Sequence, residues 1–198
     1  MPLLLVLAAY LLGAVPTAYL LGRWRLGVDI SREGSGNIGA SNVARRSPVL
    51  GAVVLLLDAT KGAVPTAIGQ AMDPGGSLGA VVGLAAAVGH CWSVYRWREA
   101  RKGGKGIATL GGASLVLAPG LLPICLAAFV AGTRLTGYRA LGTLIAATLA
   151  VLVLVALAAA PALLAFGGAA LLLLIVTHSE NLRRIMTGQE ERGLFPRR

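Results

Sequence analysis

The sequence predicts an all-α polytopic membrane helical bundle of about seven transmembrane helices, N-terminus outside and C-terminus cytoplasmic. Three observations carry this. Only 13% of the 198 residues are charged and 56% are hydrophobic, where a soluble domain carries about 25% charged residues. The mean hydropathy is +0.76, and the apolar residues lie in runs too long for core strands. Every Lys and Arg except Lys61 lies in three alternate connections or in the tail.

The elements follow in order. The first span covers residues 3–22, close to the ~20 residues that cross a ~30 Å hydrocarbon core. It is too long for a signal-peptide core, and its basic residues Arg23 and Arg25 come after it, so it is expected to be retained. Residues 23–47 form a polar loop. The second span, 48–71, is interrupted by Asp58 and Lys61 and ends at the turn Asp73-Pro74-Gly75-Gly76. The third covers 78–94, followed by a basic segment over 95–105. Pro119-Gly120 and Pro123 divide the next apolar stretch into short helices over 106–118 and 121–133, which tilt, thin the bilayer or form a re-entrant pair. Spans over 140–158 and 162–177, parted at Pro161, precede a polar tail over 178–198.

Basic residues follow spans one, three and five and fill the tail, whereas the connections near Asp73, Gly120 and Pro161 have none. The positive-inside rule puts the basic side in the cytoplasm. The alternation needs an odd number of crossings, seven, or five if the middle pair is re-entrant. Topology therefore accounts for the net charge of +10, and nucleic acid is not an expected partner. The chain is expected to form a single membrane-embedded domain, residues 1–198. Cys91 and Cys125 read as small core residues.

Topology brings three polar clusters to one face. Residues 34–45 read Gly-Ser-Gly-Asn-Ile-Gly-Ala-Ser-Asn-Val-Ala-Arg. Gly34, Gly36 and Gly39 let backbone N–H groups approach a ligand; Ser35, Asn37, Ser41 and Asn42 add short hydrogen-bonding side chains, and Arg45 a permanent cation. This suits a phosphate or carboxylate, and a plain polar connector is the competing reading. Lys102-Gly103-Gly104-Lys105-Gly106 precedes a helix start, where free N–H groups and the helix dipole favour an anion; a basic anchor on anionic lipid is the alternative. His178, Asn181 and Arg184 would share a helix face, with Glu180 beside them, or belong to a solvated tail.

Asp58 and Lys61 read as an ion pair inside a span that braces the site, and His90 as a hydrogen-bonded packing residue. There is no Gly-x-Ser-x-Gly elbow, no His-Glu-x-x-His and no Cys/His cluster with metal spacing, so no metal or cofactor is expected.

Together these clusters resemble the bacterial acyl-phosphate:glycerol-3-phosphate acyltransferases over nearly the whole chain. Gly34 to Arg45 is similar to the family's first motif and Asp58-Ala59-Thr60-Lys61-Gly62 to its Asp-x-x-Lys-Gly element. Gly89-His90 with residues 102–106 resembles the second motif; His178, Glu180, Asn181 and Arg183-Arg184 resemble the third. Val15-Pro16-Thr17-Ala18-Tyr19-Leu20 and Gly27-Val28-Asp29-Ile30 are also similar. The chain departs at Trp92-Ser93, where the family usually has Phe-Pro, in a slightly longer stretch between His90 and Lys102, and at Ser41, where Thr is common.

The resemblance implies acyl transfer from acyl phosphate to the sn-1 hydroxyl of glycerol 3-phosphate. The products are 1-acylglycerol-3-phosphate (lysophosphatidic acid) and phosphate, in the first step of phospholipid synthesis, at the cytoplasmic face of the bacterial inner membrane. Ser35, Arg45, Lys105, His178 and Asn181 then form the catalytic set and hold glycerol 3-phosphate. Gly34, Gly36, Asn37, Gly39, Ser41, Asn42, Lys102, Gly103, Gly104 and Glu180 line the substrates, the Gly-rich backbones taking the acyl-phosphate head. Asp58, Lys61 and His90 give support. Either His178 or the leaving phosphate takes the proton. Expected partners are the two substrates and membrane lipid, with the enzyme that supplies acyl phosphate as a candidate. A transporter of a phosphorylated solute is the alternative, though it calls for cations near the midplane, where only Lys61 lies. A lipid-binding scaffold is the third reading.

Overall fold

A computed structural model of the chain describes residues 1–96 and 103–193. Those residues are helical, with no strand among them, and form two compact units, Met1–Val116 and Leu117–Arg198. Four stretches are long and apolar enough to cross a membrane: Pro2–Leu26, Pro48–Met72, Arg139–Ala156 and Pro161–Met186. Leu78–Cys91, Ile107–Leu117 and Leu121–Thr136 are shorter apolar helices.

In the first unit, the first span is broken. Helix α1 (Pro2–Ala14) stops at Val15, because the residue before a proline is pushed out of the helical region. The chain restarts as α2 (Thr17–Leu21) and closes with a π-helical turn, Gly22–Leu26. A short helix, α3 (Ala40–Val43), leads into α4 (Pro48–Met72), which Ser47 caps by accepting from the Leu50 N–H. Then come α5 (Leu78–Cys91) and α6 (Ile107–Leu117).

These helices pack through small residues, as helices must where lipid supplies no hydrophobic drive. A Cβ on Gly13 would run into the Ala86 carbonyl, and one on Gly89 into that of Tyr10, so α1 and α5 touch backbone to backbone. Gly62 and Gly112 do the same reciprocally for α4 and α6, against Thr109 and Ala59. Leu4, Leu7, Leu56 and Ile68 face outward, while Asp58, Lys61 and His90 are buried. Apolar outside and charged inside is the pattern of a protein solvated by lipid.

The second unit holds α7 (Leu121–Thr136), α8 (Arg139–Ala156) and α9 (Pro161–Met186). Helix α7 packs on α8 and α8 on α9. Gly137 ends α7 in the left-handed conformation, at φ +82°.

Several boundaries differ from expectation by a few residues, α7 for example running on to Thr136, and two of the differences have a visible cause. Helix α5 ends at Cys91 rather than residue 94, because Tyr10 Oη donates to the Trp92 carbonyl and Ser93 Oγ to the Ala14 carbonyl. Helix α9 runs on to Met186, through residues expected in the tail. There the apolar run ends, but Glu180 pairs with Arg183 one turn on, and the two arginines suit the C-terminal dipole.

Candidate active-site residues

One side chain holds the Gly-rich loop. The buried Asn42 amide donates to the carbonyls of Ile30 (3.0 Å) and Glu33 (2.9 Å) and accepts from the Ser35 N–H at 3.4 Å. These bonds tie the amide to the loop's own backbone. Gly34 and Gly36 have φ of +51° and +69°, a region that penalises any side chain. A Cβ on Gly34 would lie 2.5 Å from Asn42 Oδ1 and 3.2 Å from Arg45 Cδ, so Arg45 packs directly against this turn. Ser35 and Ser41 are exposed, Asn37 and Arg45 half-buried, and Gly39 buried. Arg46 is engaged by Glu33 at 2.7 Å.

The loop's underside is apolar: Ile30, Ile38 and Val43 cluster with Ala18 of α2 and Val54 of α4. On the same α4 face, one turn after Val54, lies Asp58. Its Oδ1 accepts from Thr17 Oγ1 (2.5 Å) and Lys61 Nζ (2.7 Å) and lies 3.7 Å from His90 Nδ1. Lys61 Nζ also donates to the Val15 carbonyl (2.6 Å) and to Thr17 Oγ1 (3.0 Å). The pair thus secures the α1–α2 break with the polar groups that break left available.

His90 carries the network to the second cluster. A Cβ on Gly104 would collide with His90 Nε2, and one on Gly103 with the carbonyls of His90 and Cys91. The Gly103 N–H donates to the Cys91 carbonyl at 3.1 Å. Gly103-Gly104 therefore lies flat on the end of α5, where only glycine fits, and Gly106 turns at φ +80° into α6. Lys105 is half-buried between these glycines. Lys102 lies outside the described residues.

In the second unit, His178 and Asn181 share one face of α9, and both are buried. His178 Nδ1 lies 2.8 Å from the Leu174 carbonyl. A carbonyl can only accept, so Nδ1 carries a hydrogen. Asn181 Nδ2 donates to Glu190 Oε1, and Arg184 Nε to Glu190 Oε2, each at 2.6 Å. Glu180 pairs with Arg183 at 2.7 Å. The first two clusters thus share α4 and α5 as a frame, and the third is organised within α9 and the tail.

A family model described as glycerol-3-phosphate acyltransferase matches residues 3–188. The chain belongs to this family. A glycerol-3-phosphate acyltransferase of Geobacter sulfurreducens is 39% identical over 96% of both chains. The crystal structure of PlsY (YgiH), an integral membrane glycerol 3-phosphate acyltransferase, in its glycerol 3-phosphate form superposes with a TM-score of 0.89 at 31% identity. It covers 97% of this chain and 95% of PlsY. The lysophosphatidic acid form gives 0.86 at 30% identity, covering 96% and 94%. Family membership makes the chain an integral membrane acyltransferase acting on glycerol 3-phosphate, a class that serves phospholipid synthesis. Thr17 and Glu190 were missed as site-shaping residues. Thr17 lies in the family-like stretch after Val15-Pro16, and Glu190 looks like an ordinary tail acid.

Proposed function

We propose that this chain transfers a fatty acyl group from acyl phosphate to the sn-1 hydroxyl of glycerol 3-phosphate, releasing lysophosphatidic acid and phosphate. The work is done at the cytoplasmic face of the bacterial inner membrane, by a single domain of seven crossings with the N-terminus outside. The observation that carries the reading is the likeness, over 97% of the chain, to a protein solved with glycerol 3-phosphate.

Ser35, Arg45, Lys105, His178 and Asn181 hold glycerol 3-phosphate. The turns at Gly36, Asn37 and Gly39 and at Gly103 and Gly104 shape the pocket for the acyl-phosphate head, with Gly34, Ser41, Lys102 and Glu180 at the margins. The head takes the backbone N–H groups of Asn37, Gly39 and Gly104, those of Gly36 and Gly103 being engaged by the Glu33 and Cys91 carbonyls. Asn42 serves by shaping the loop. The His178 imidazole orients the attacking hydroxyl. The new C–O ester bond forms as the C–O bond to phosphate breaks, and the hydroxyl proton passes to the leaving phosphate, which departs with it. Acyl phosphate is already activated, so positioning and charge stabilisation suffice. The transporter reading gains nothing here, since Lys61 is engaged by Asp58, Thr17 and Val15.

The test is phosphate release by purified protein in lipid, given palmitoyl phosphate with and without glycerol 3-phosphate. Release that requires glycerol 3-phosphate, matched by lysophosphatidic acid, is expected. Folded protein that releases none refutes the proposal.

A further inference from the structure

The tail after α9 folds back as a strap. The N–H groups of Gln189 and Glu190 both donate to the Arg184 carbonyl, at 2.7 and 3.2 Å. Arg192 Nε donates to Tyr138 Oη at 3.1 Å and its guanidinium lies over the Tyr138 ring at 5.3 Å. The Gly193 N–H donates to the Gly137 carbonyl at 2.8 Å, and Glu191 lies 3.9 Å from Arg139. Residues 189–193 are thereby tied both to the end of α9 and to the α7–α8 turn.

The strap delivers one carboxylate inward. The Glu190 side chain is only 12% exposed, and its two oxygens take different partners, Asn181 and Arg184. An ionised carboxylate can only accept, so it dictates the orientation of the Asn181 amide: nitrogen toward Glu190, oxygen away from it. Asn181 lies one turn beyond His178 on the same helix face. We propose that Glu190 is a positioning residue of the acyl-transfer site: its carboxylate fixes the Asn181 amide and the Arg184 guanidinium in the orientation that receives glycerol 3-phosphate. The inference rests on the acyltransferase reading above.

Glu190→Gln tests it with little change of shape. A glutamine oxygen can accept from one partner, but its NH2 group then faces a donor on the other. In the full chain in lipid, with palmitoyl phosphate as donor, the KM for glycerol 3-phosphate is expected to rise about tenfold, as for one lost charge-assisted bond. The KM for palmitoyl phosphate should stay put. Glu190→Asp, which keeps the charge on a shorter arm, should recover part of the loss. In an Asn181→Ala background only the route through Arg184 remains, so Glu190→Gln should add clearly less than its roughly tenfold effect in the wild-type background.

A wild-type KM in folded Glu190→Gln protein overturns the proposal. So does a full multiplicative effect with Asn181→Ala, or a variant that cannot fold, which would make the role structural. If wild-type protein shows no glycerol 3-phosphate-dependent transfer, the acyltransferase reading itself fails, and that is visible before any variant is made.

Discussion

Removing one member of the Asp58–Lys61 pair should destabilise the protein far more than removing both. Asp58 is 1% exposed and Lys61 5%, and their charged atoms are 2.7 Å apart. Breaking a buried pair leaves the survivor's charge uncompensated and costs about 3–5 kcal/mol. For a chain of this length, each kcal/mol lowers Tm by about 2–4 °C, so Lys61→Met should lower the apparent Tm by about 6–20 °C. The double variant Asp58→Asn, Lys61→Met carries no buried charge. The amide oxygen that replaces the Asp58 carboxylate can still accept from Thr17 Oγ1, and the Val15 carbonyl keeps the Thr17 N–H at 3.0 Å. What remains lost are the Lys61 bonds to Val15 and to Thr17 Oγ1, about 1 kcal/mol each, or together about 4–8 °C. Thermal unfolding of both variants in one detergent decides the matter. A double variant no more stable than Lys61→Met would refute the reasoning, because the cost would then lie in packing rather than in an orphaned charge.

Three further outcomes are expected. Arg45→Ala should raise the KM for glycerol 3-phosphate about tenfold or more, the loss of a charge-assisted contact to phosphate; steady-state kinetics with a normal KM would remove Arg45 from the site. Asn42→Ala should drop kcat/KM by about tenfold or more, since it releases two carbonyls and the Ser35 N–H of the Gly-rich loop; unchanged kinetics would mean the loop holds its shape without this amide. Gly104→Ala places a methyl on His90 Nε2 and should abolish most activity, whereas Gly111→Ala, with nothing within 4 Å, should behave as wild type; equal activity of the two in a phosphate-release assay would refute the tight seating of the turn.

Much of this was legible in the sequence because a bilayer imposes simple rules. Seven apolar segments, the divide at Pro119-Gly120 and the start of α4 at Pro48 all follow from run length and proline. Asp58 and Lys61 stood out because charge inside an apolar run calls for a partner. The break at Val15-Pro16 was also written in the sequence, yet the hydropathy of α1 and α2 masked it. Partnerships distant in the chain were not legible. Nothing near Thr17 indicates that it donates to a carboxylate on α4, and nothing near Asn181 indicates Glu190. The end of α9 escaped because apolar periodicity stops at residue 177, so a helix face for His178, Asn181 and Arg184 and a solvated tail stayed open alternatives; the exposed Glu180–Arg183 pair adds only modest support to the extra turns.

Helix α4 carries its instructions in rotational register. Gly51 meets Ala44, Val54 seats the Gly-rich loop, Asp58 and Lys61 bind Thr17 and sit beside His90, and Gly62 admits α6, all on one stripe. Val49, Val53, Leu56 and Val64, off this stripe, are exposed and interchangeable with other apolar residues. A single residue inserted between Val54 and Asp58 would turn everything beyond it by about 100° relative to the loop. Every side chain would survive, yet the glycine would face lipid and the ion pair would lose Thr17. The helix acts as a camshaft, so its phase matters to the fold as much as its residues do.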